Sequence, residues 1–308
     1  MPIARAALFA LSAFSLLALS TNAATPARKT AAEIVKASPA TDWRPLDPQN
    51  TLVMTVNGQQ VIMELAPAFA PEHAANIRTL AHEGYYDGLA VVRVQDNFVT
   101  QWGDPNEDDK EKARKLGSAK AKLPAEFSRP LKGLEMTRIA DFDGWAKITG
   151  FADDMPVAAD PSHNQAWIPH CYGVIGAGRG DTVDSSNGSS LYVIIGQAPR
   201  ALDLNITVVG RVIKGMEALS ALPRGTGDMG FYEKPEQNVP LQSVKLLADL
   251  PQAERPQLEL MKTDSASFKA ILEARRHTPP GWYVHSPEYS NVCNMSVPMR
   301  AIAAPQAK

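Results

Sequence analysis

The chain has 308 residues, 44% of them hydrophobic, and a formal net charge of −2. That balance describes a folded protein of one or two domains and supplies no basic field that would attract nucleic acid or an anionic membrane surface. At the N-terminus, Arg5, the apolar run Ala6 to Leu19 and the small-residue exit Thr21-Asn22-Ala23 read as a cleavable signal peptide over residues 1–23, too short for a convincing membrane span. The mature protein is therefore expected to be periplasmic or secreted, with no membrane span and a charge of −3 once Arg5 is removed.

Residues 24–50 read as a loose arm with a short helix near Ala31 to Lys36. Leu52 to Val56 and Gln60 to Leu65 then alternate around Asn57-Gly58, a hairpin signal because both turn positions tolerate positive φ. A helix is expected over Pro71 to Glu83: Ala70, Ala74, Ile77 and Ala81 fall on one face, Pro71 suits the first turn and Gly84 the stop. Next comes GYYDGLAVVRVQDNFVTQWGDP, Gly84 to Pro105, in which a single arginine, Arg93, interrupts a β-type apolar run.

Asn106 to Lys122 is charged and reads as a solvated loop or short helix. Asp104, Glu107, Asp108 and Asp109 lack the alternating ligands and turn glycine of an EF-hand, so no calcium site is expected. The segment from about 129 to 170 carries Trp145, Phe151, Trp167 and several prolines, and is expected to pack on the rest of the protein. Gly176 to Gly180, GAGRG, follows an apolar pair, but turn formers and a strand come after it where a dinucleotide fold needs a helix. Pro251 to Pro256 reads as a linker, Ser265 to Arg276 as a helix, and Trp282 to Arg300 as an apolar tail that packs back.

Gly84, Tyr85, Tyr86, Asp87, Gly88, Arg93, Val94, Phe98, Gln101, Gly103 and Asp104 fall in register with the active-site segment of the cyclophilin family of peptidyl-prolyl cis/trans isomerases. Ser190 to Met216, SLYVIIGQAPRALDLNITVVGRVIKGM, is similar to a second family segment through Leu202, Asp203, Gly210, Val212, Gly215 and Met216. The resemblance covers about Leu52 to Asp249, and the Cys293-Asn294 and Val297-Pro298 pattern resembles the tails of exported bacterial relatives. It implies a mainly β fold, a closed antiparallel eight-stranded barrel capped by two α-helices. The barrel domain would span 51–250 with an insertion at 129–170, followed by an extension over 251–308 packed on it.

The resemblance also implies a chemistry. Rotating an X-Pro bond breaks amide resonance, a barrier of roughly 18–20 kcal/mol, without making or breaking a covalent bond. An apolar slot for the ring and a fixed donor for the twisted state are enough. On the family pattern Arg93 is the donor, Phe98 the slot floor and Gln101 the backbone anchor. Val99, Gly178, Arg179, Val193, Leu202 and Ile206 would line the substrate site. No cofactor or metal is implied, the partners are proline-containing polypeptides, and a monomer is expected.

Several positions depart from that pattern. Val193 is read at the place of a pocket phenylalanine, Ala201 at that of a tryptophan, Ile206 at that of a histidine and Val99 at that of a methionine, while Trp102 replaces a glycine and could refill the slot. Losing one aromatic wall should weaken the grip on proline by about 1–2 kcal/mol. A catalytically weak or inactive peptide-binding or chaperone module is therefore the alternative to an isomerase for exported proteins. A hydrolase reading is weak, because the sequence has no Gly-x-Ser-x-Gly elbow and no His-Glu-x-x-His motif. The cysteines Cys171 and Cys293 suggest a disulfide tying tail to barrel, with two buried free thiols as the alternative and zinc held by His163, His170 and Cys171 less favoured than either.

Overall fold

The computed structural model describes residues 28–278 and 283–302. The expected signal peptide and Trp282 lie outside the described residues. Asn57 and Gly58 both take positive φ, 48° and 70°, and close a tight hairpin between β1 (Thr51–Val56) and β2 (Gln59–Leu65). Six more strands complete a closed barrel: β3 (Ala90–Gln95), β4 (Val99–Gly103), β5 (Val174–Ala177), β6 (Leu191–Ile194), β7 (Val208–Lys214) and β8 (Val239–Leu246). Its order is β5-β6-β4-β3-β8-β1-β2-β7, with β7 pairing back to β5 in antiparallel register.

Among the described residues, four α-helices accompany the strands: α1 (Ala31–Ala37), α2 (Pro71–His82), α3 (Met216–Ser220) and α4 (Ala266–Arg276). Two of them cover the barrel. Ala74, Ile77, Leu80 and Ala81 of α2, with Ala218 and Leu219 of α3, join Met54, Met63, Trp102 and Leu191 in one buried core. Ala70 cannot cap α2, and the Glu126 carboxylate does so from 54 residues away, accepting the backbone N–H groups of Glu72 and His73 at 2.9 Å. Each fully buried Leu or Met contributes roughly 1.5–3 kcal/mol, and Leu80→Ala should cost about 2–5 kcal/mol.

The insertion has a sheet of its own, which its short strands hide from a periodicity reading. Arg129–Pro130, Thr137–Ile139, Ile148–Ala152, Met155–Asp160 and Gln165–Trp167 make a five-stranded antiparallel sheet. Its buried face, with Ile139, Phe151 and Val157, packs with Phe69, Val174 and Val208 and with Phe268 and Ile271 of α4 in a second core. Cys171 and Cys293 sit in this core and form a disulfide with an S–S distance of 2.03 Å.

The arm is not loose over its described part, contrary to expectation. Trp43–Pro45 pairs with Leu258–Met261, which pairs with Met299–Ala301, so arm, extension and tail share a three-stranded sheet. Leu258 and Leu260 of that sheet pack on Val53 and Ile62 outside the barrel. Among the described residues, no helix is long and apolar enough to cross a membrane.

Candidate active site

Simple alternation along β3 would turn Arg93 toward the same side as Val91, which is in the barrel core. A β-bulge between them prevents this. Val91 pairs with Trp102 and Arg93 with Gln101, so Val92 is the extra residue and Arg93 emerges on the outer face beside Gln101. The next residue, Val94, is again in the core. The guanidinium, half-buried, lies between two rings, with Phe98 at 5.5 Å and Phe231 at 5.2 Å.

Three of the five N–H groups of that guanidinium are engaged. Nε donates to the carbonyl of Met229 at 2.6 Å, Nη1 to Oε1 of Gln101 at 3.2 Å, and Nη2 to Oε1 of Gln95. All three partners are neutral, so the positive charge stays uncompensated while two N–H groups remain for a ligand. Burial pushes the Arg93 guanidinium below its usual pKa, partly opposed by Tyr192, but an arginine remains charged throughout the working range. Gln101 in turn donates through Nε2 to Ser190 Oγ at 3.1 Å and keeps one amide N–H free.

Beside this cation lies an apolar cluster: Val99, Tyr192 and Ile194, with Phe98 and Ile206 packed against them. It occupies the outer face of the barrel where Tyr192 pairs with Gln101 and Ile194 with Val99. A guanidinium with free donors next to an apolar cluster is a place for a small apolar ring carrying a polar bond.

The family model described as "Cyclophilin type peptidyl-prolyl cis-trans isomerase/CLD" matches residues 51–246, the barrel with its insertion. The chain belongs to the cyclophilin family. It is 28% identical over 191 residues to a probable peptidyl-prolyl cis-trans isomerase of Brucella suis, covering 62% of this chain and 80% of that one. A peptidyl-prolyl cis-trans isomerase of Schizosaccharomyces pombe is 27% identical over 188 residues, 61% of this chain and 90% of its own. The crystal structure of a cyclophilin from Hirschia baltica superposes with a TM-score of 0.67 at 25% identity, covering 86% of this chain and 95% of that one. That similarity extends beyond the barrel.

Arg93, Phe98, Gln101, Val99 and Ile206 come together at this cluster. Gly178 flanks them, donating its N–H to the Ser190 carbonyl at 2.8 Å. Arg179 folds back, its Nε donating to the Asn205 carbonyl at 2.9 Å and its guanidinium 6.0 Å from the Phe127 ring. Leu202 lies on the short turn Arg200–Leu202, outside the apolar cluster.

Two expectations need correction. Val193 does not line the slot: it is fully buried inside the barrel, and its neighbour Tyr192 supplies the aromatic wall. Trp102 does not refill the slot either, because it too points into the barrel core, where its Nε1 has no hydrogen-bond partner. Both follow from the same alternation, with Leu191 and Val193 inward and Tyr192 and Ile194 outward. Met229 and Phe231 were missed as well. They lie on a loop whose Phe231 bridges Arg93 and whose Tyr232 N–H donates to the Val92 carbonyl at 3.0 Å, completing the edge of β3.

Proposed function

We propose that this cyclophilin accelerates X-Pro isomerisation with Arg93 as the electrostatic catalyst, and that its clients are exported polypeptides. The planar amide nitrogen has no lone pair to offer. As the C–N bond twists, resonance is lost, the nitrogen becomes pyramidal and its lone pair can accept a hydrogen bond. A donor aimed at that point binds the twisted state better than either planar one, which is the condition for acceleration. The free N–H groups of Arg93 suit this role because bonds to Met229, Gln101 and Gln95 hold the fork in place before substrate arrives. Phe98, Val99, Tyr192 and Ile206 would receive the pyrrolidine ring, and the free amide N–H of Gln101 a backbone carbonyl.

The observation that carries the mechanism is a half-buried cation held by neutral partners only, on the edge of an apolar cluster. For the exported clients the support is the signal-like N-terminus and the Cys171–Cys293 disulfide, a bond that persists in oxidising compartments. The cis-to-trans rate of a short X-Pro peptide, measured with wild type and Arg93→Ala together with both melting temperatures, tests the mechanism. The variant should lose about 100-fold or more in kcat/KM and melt within a few degrees of wild type. Equal rates would remove Arg93 from the mechanism, and wild-type binding without acceleration would favour the peptide-binding module.

A further inference from the structure

We propose that His170, at the end of the insertion, is a positioning residue that fixes the slot wall through the phenol of Tyr192. The inference rests on the slot being the substrate site. A hydroxyl in an apolar wall must find a partner, and the Tyr192 hydroxyl finds Nε2 of His170 at 3.0 Å. His170 is fully buried. Its Nδ1 lies 3.1 Å from Oδ1 of Asp203, which also accepts the His170 backbone N–H at 2.9 Å. With a carboxylate at Nδ1, that nitrogen donates its proton there and Nε2 is the atom that meets the phenol.

Asp203 is anchored in turn. Its Oδ2 accepts from Arg200 Nε at 2.6 Å and from Trp167 Nε1 at 3.0 Å, and Arg200 reaches Asp143 of the insertion at 3.1 Å. The phenol also lies against Gly176, where a Cβ would come within 2.3 Å of the Tyr192 ring carbon and hydroxyl. The ring is therefore clamped between a glycine on β5 and a histidine held by the insertion. A phenylalanine could fill the same space, but nothing would fix its ring against His170. The insertion thus acts on proline binding through the Tyr192 phenol.

A double-mutant cycle on Tyr192→Phe and His170→Ala, reading kcat and KM with a short X-Pro peptide, tests this. His170→Ala should raise KM about 5–10-fold, the worth of one buried hydrogen bond, with kcat within about 2-fold. In the Tyr192→Phe background it should add less than about 2-fold. His170→Gln, whose amide can donate to Asp203 and accept from the phenol, should restore most of the lost affinity. If His170→Ala does not fold, the Gln variant and Tyr192→Phe alone, expected to raise KM about 3-fold, carry the test. Additive effects, or a Gln variant no better than Ala, would overturn the proposal. Should wild type bind the peptide without turnover, the proposed mechanism fails separately and the same cycle is read from peptide Kd.

Discussion

Two fully buried histidines in this chain each bridge a carboxylate and a hydroxyl: His73 joins Glu126 and Ser186, and His170 joins Asp203 and Tyr192. The contacts of the first are 2.7 Å and 2.6 Å, the order and spacing of a hydrolase relay. Its hydroxyl is buried, however, and its carboxylate is committed to capping α2, so the set ties the loop carrying Ser186 to that helix. In the second set the hydroxyl belongs to a ring of the apolar cluster beside Arg93. The same three chemical parts buttress a loop in one place and a binding surface in the other. What separates them is where the hydroxyl-bearing side chain ends.

The largest expected effect exploits a feature that only the second relay has. Cys171 follows His170 directly, and its disulfide closes a separation of 122 residues. Replacing both cysteines by serine should cost about 4–5 kcal/mol in chemical denaturation on the chain-entropy account, and should raise KM more than kcat falls. A loss of stability with an unchanged KM would show that the staple does not reach the slot. His73→Ala should cost about 3 kcal/mol, since it leaves Glu126 and Ser186 short of partners. Its kcat/KM per folded molecule should stay that of wild type, and a changed KM would erase the distinction between the two relays.

Acid should weaken both sets. Burial raises the Glu126 carboxyl, but hydrogen bonds from the His73 ring and from the backbone of Glu72 and His73 outweigh it and hold the group below its ordinary value. Burial likewise raises Asp203, and hydrogen bonds from His170 with the nearby Arg200 charge hold it below. Each group ionises more readily in the folded chain than in the unfolded one. The stabilisation is therefore full above about pH 5 and fades as pH falls through and below the carboxylate range near 4. Melting temperatures measured from pH 7 to pH 3 should fall most steeply in wild type and less in Glu126→Gln or Asp203→Asn. Only the Asp203 variant should also raise KM at pH 7.

The hairpin, α2, α4 and the Arg93 segment were legible because each carries a local signal: a positive-φ turn pair, apolar spacing with caps, or a charge in an apolar run. The face of Val193 was not, because every residue from Leu191 to Ile195 is apolar and alternation leaves no mark on such a run. The bulge at Val92, which turns Arg93 outward, likewise has no signature in side-chain pattern. The sheet of the insertion escaped notice because its strands include runs of two and three residues. Met229 contributes a backbone carbonyl, which no side-chain reading can nominate.

The central claim, that a clamped guanidinium favours the twisted imide, is tested most directly by exchange NMR on a saturating X-Pro peptide with wild type and Arg93→Ala. The account predicts that the variant binds peptide within about 3-fold of wild type while its cis/trans exchange slows about 100-fold or more. A variant that loses binding and keeps its exchange rate at saturation would contradict it, leaving Arg93 a grip on the ground state only.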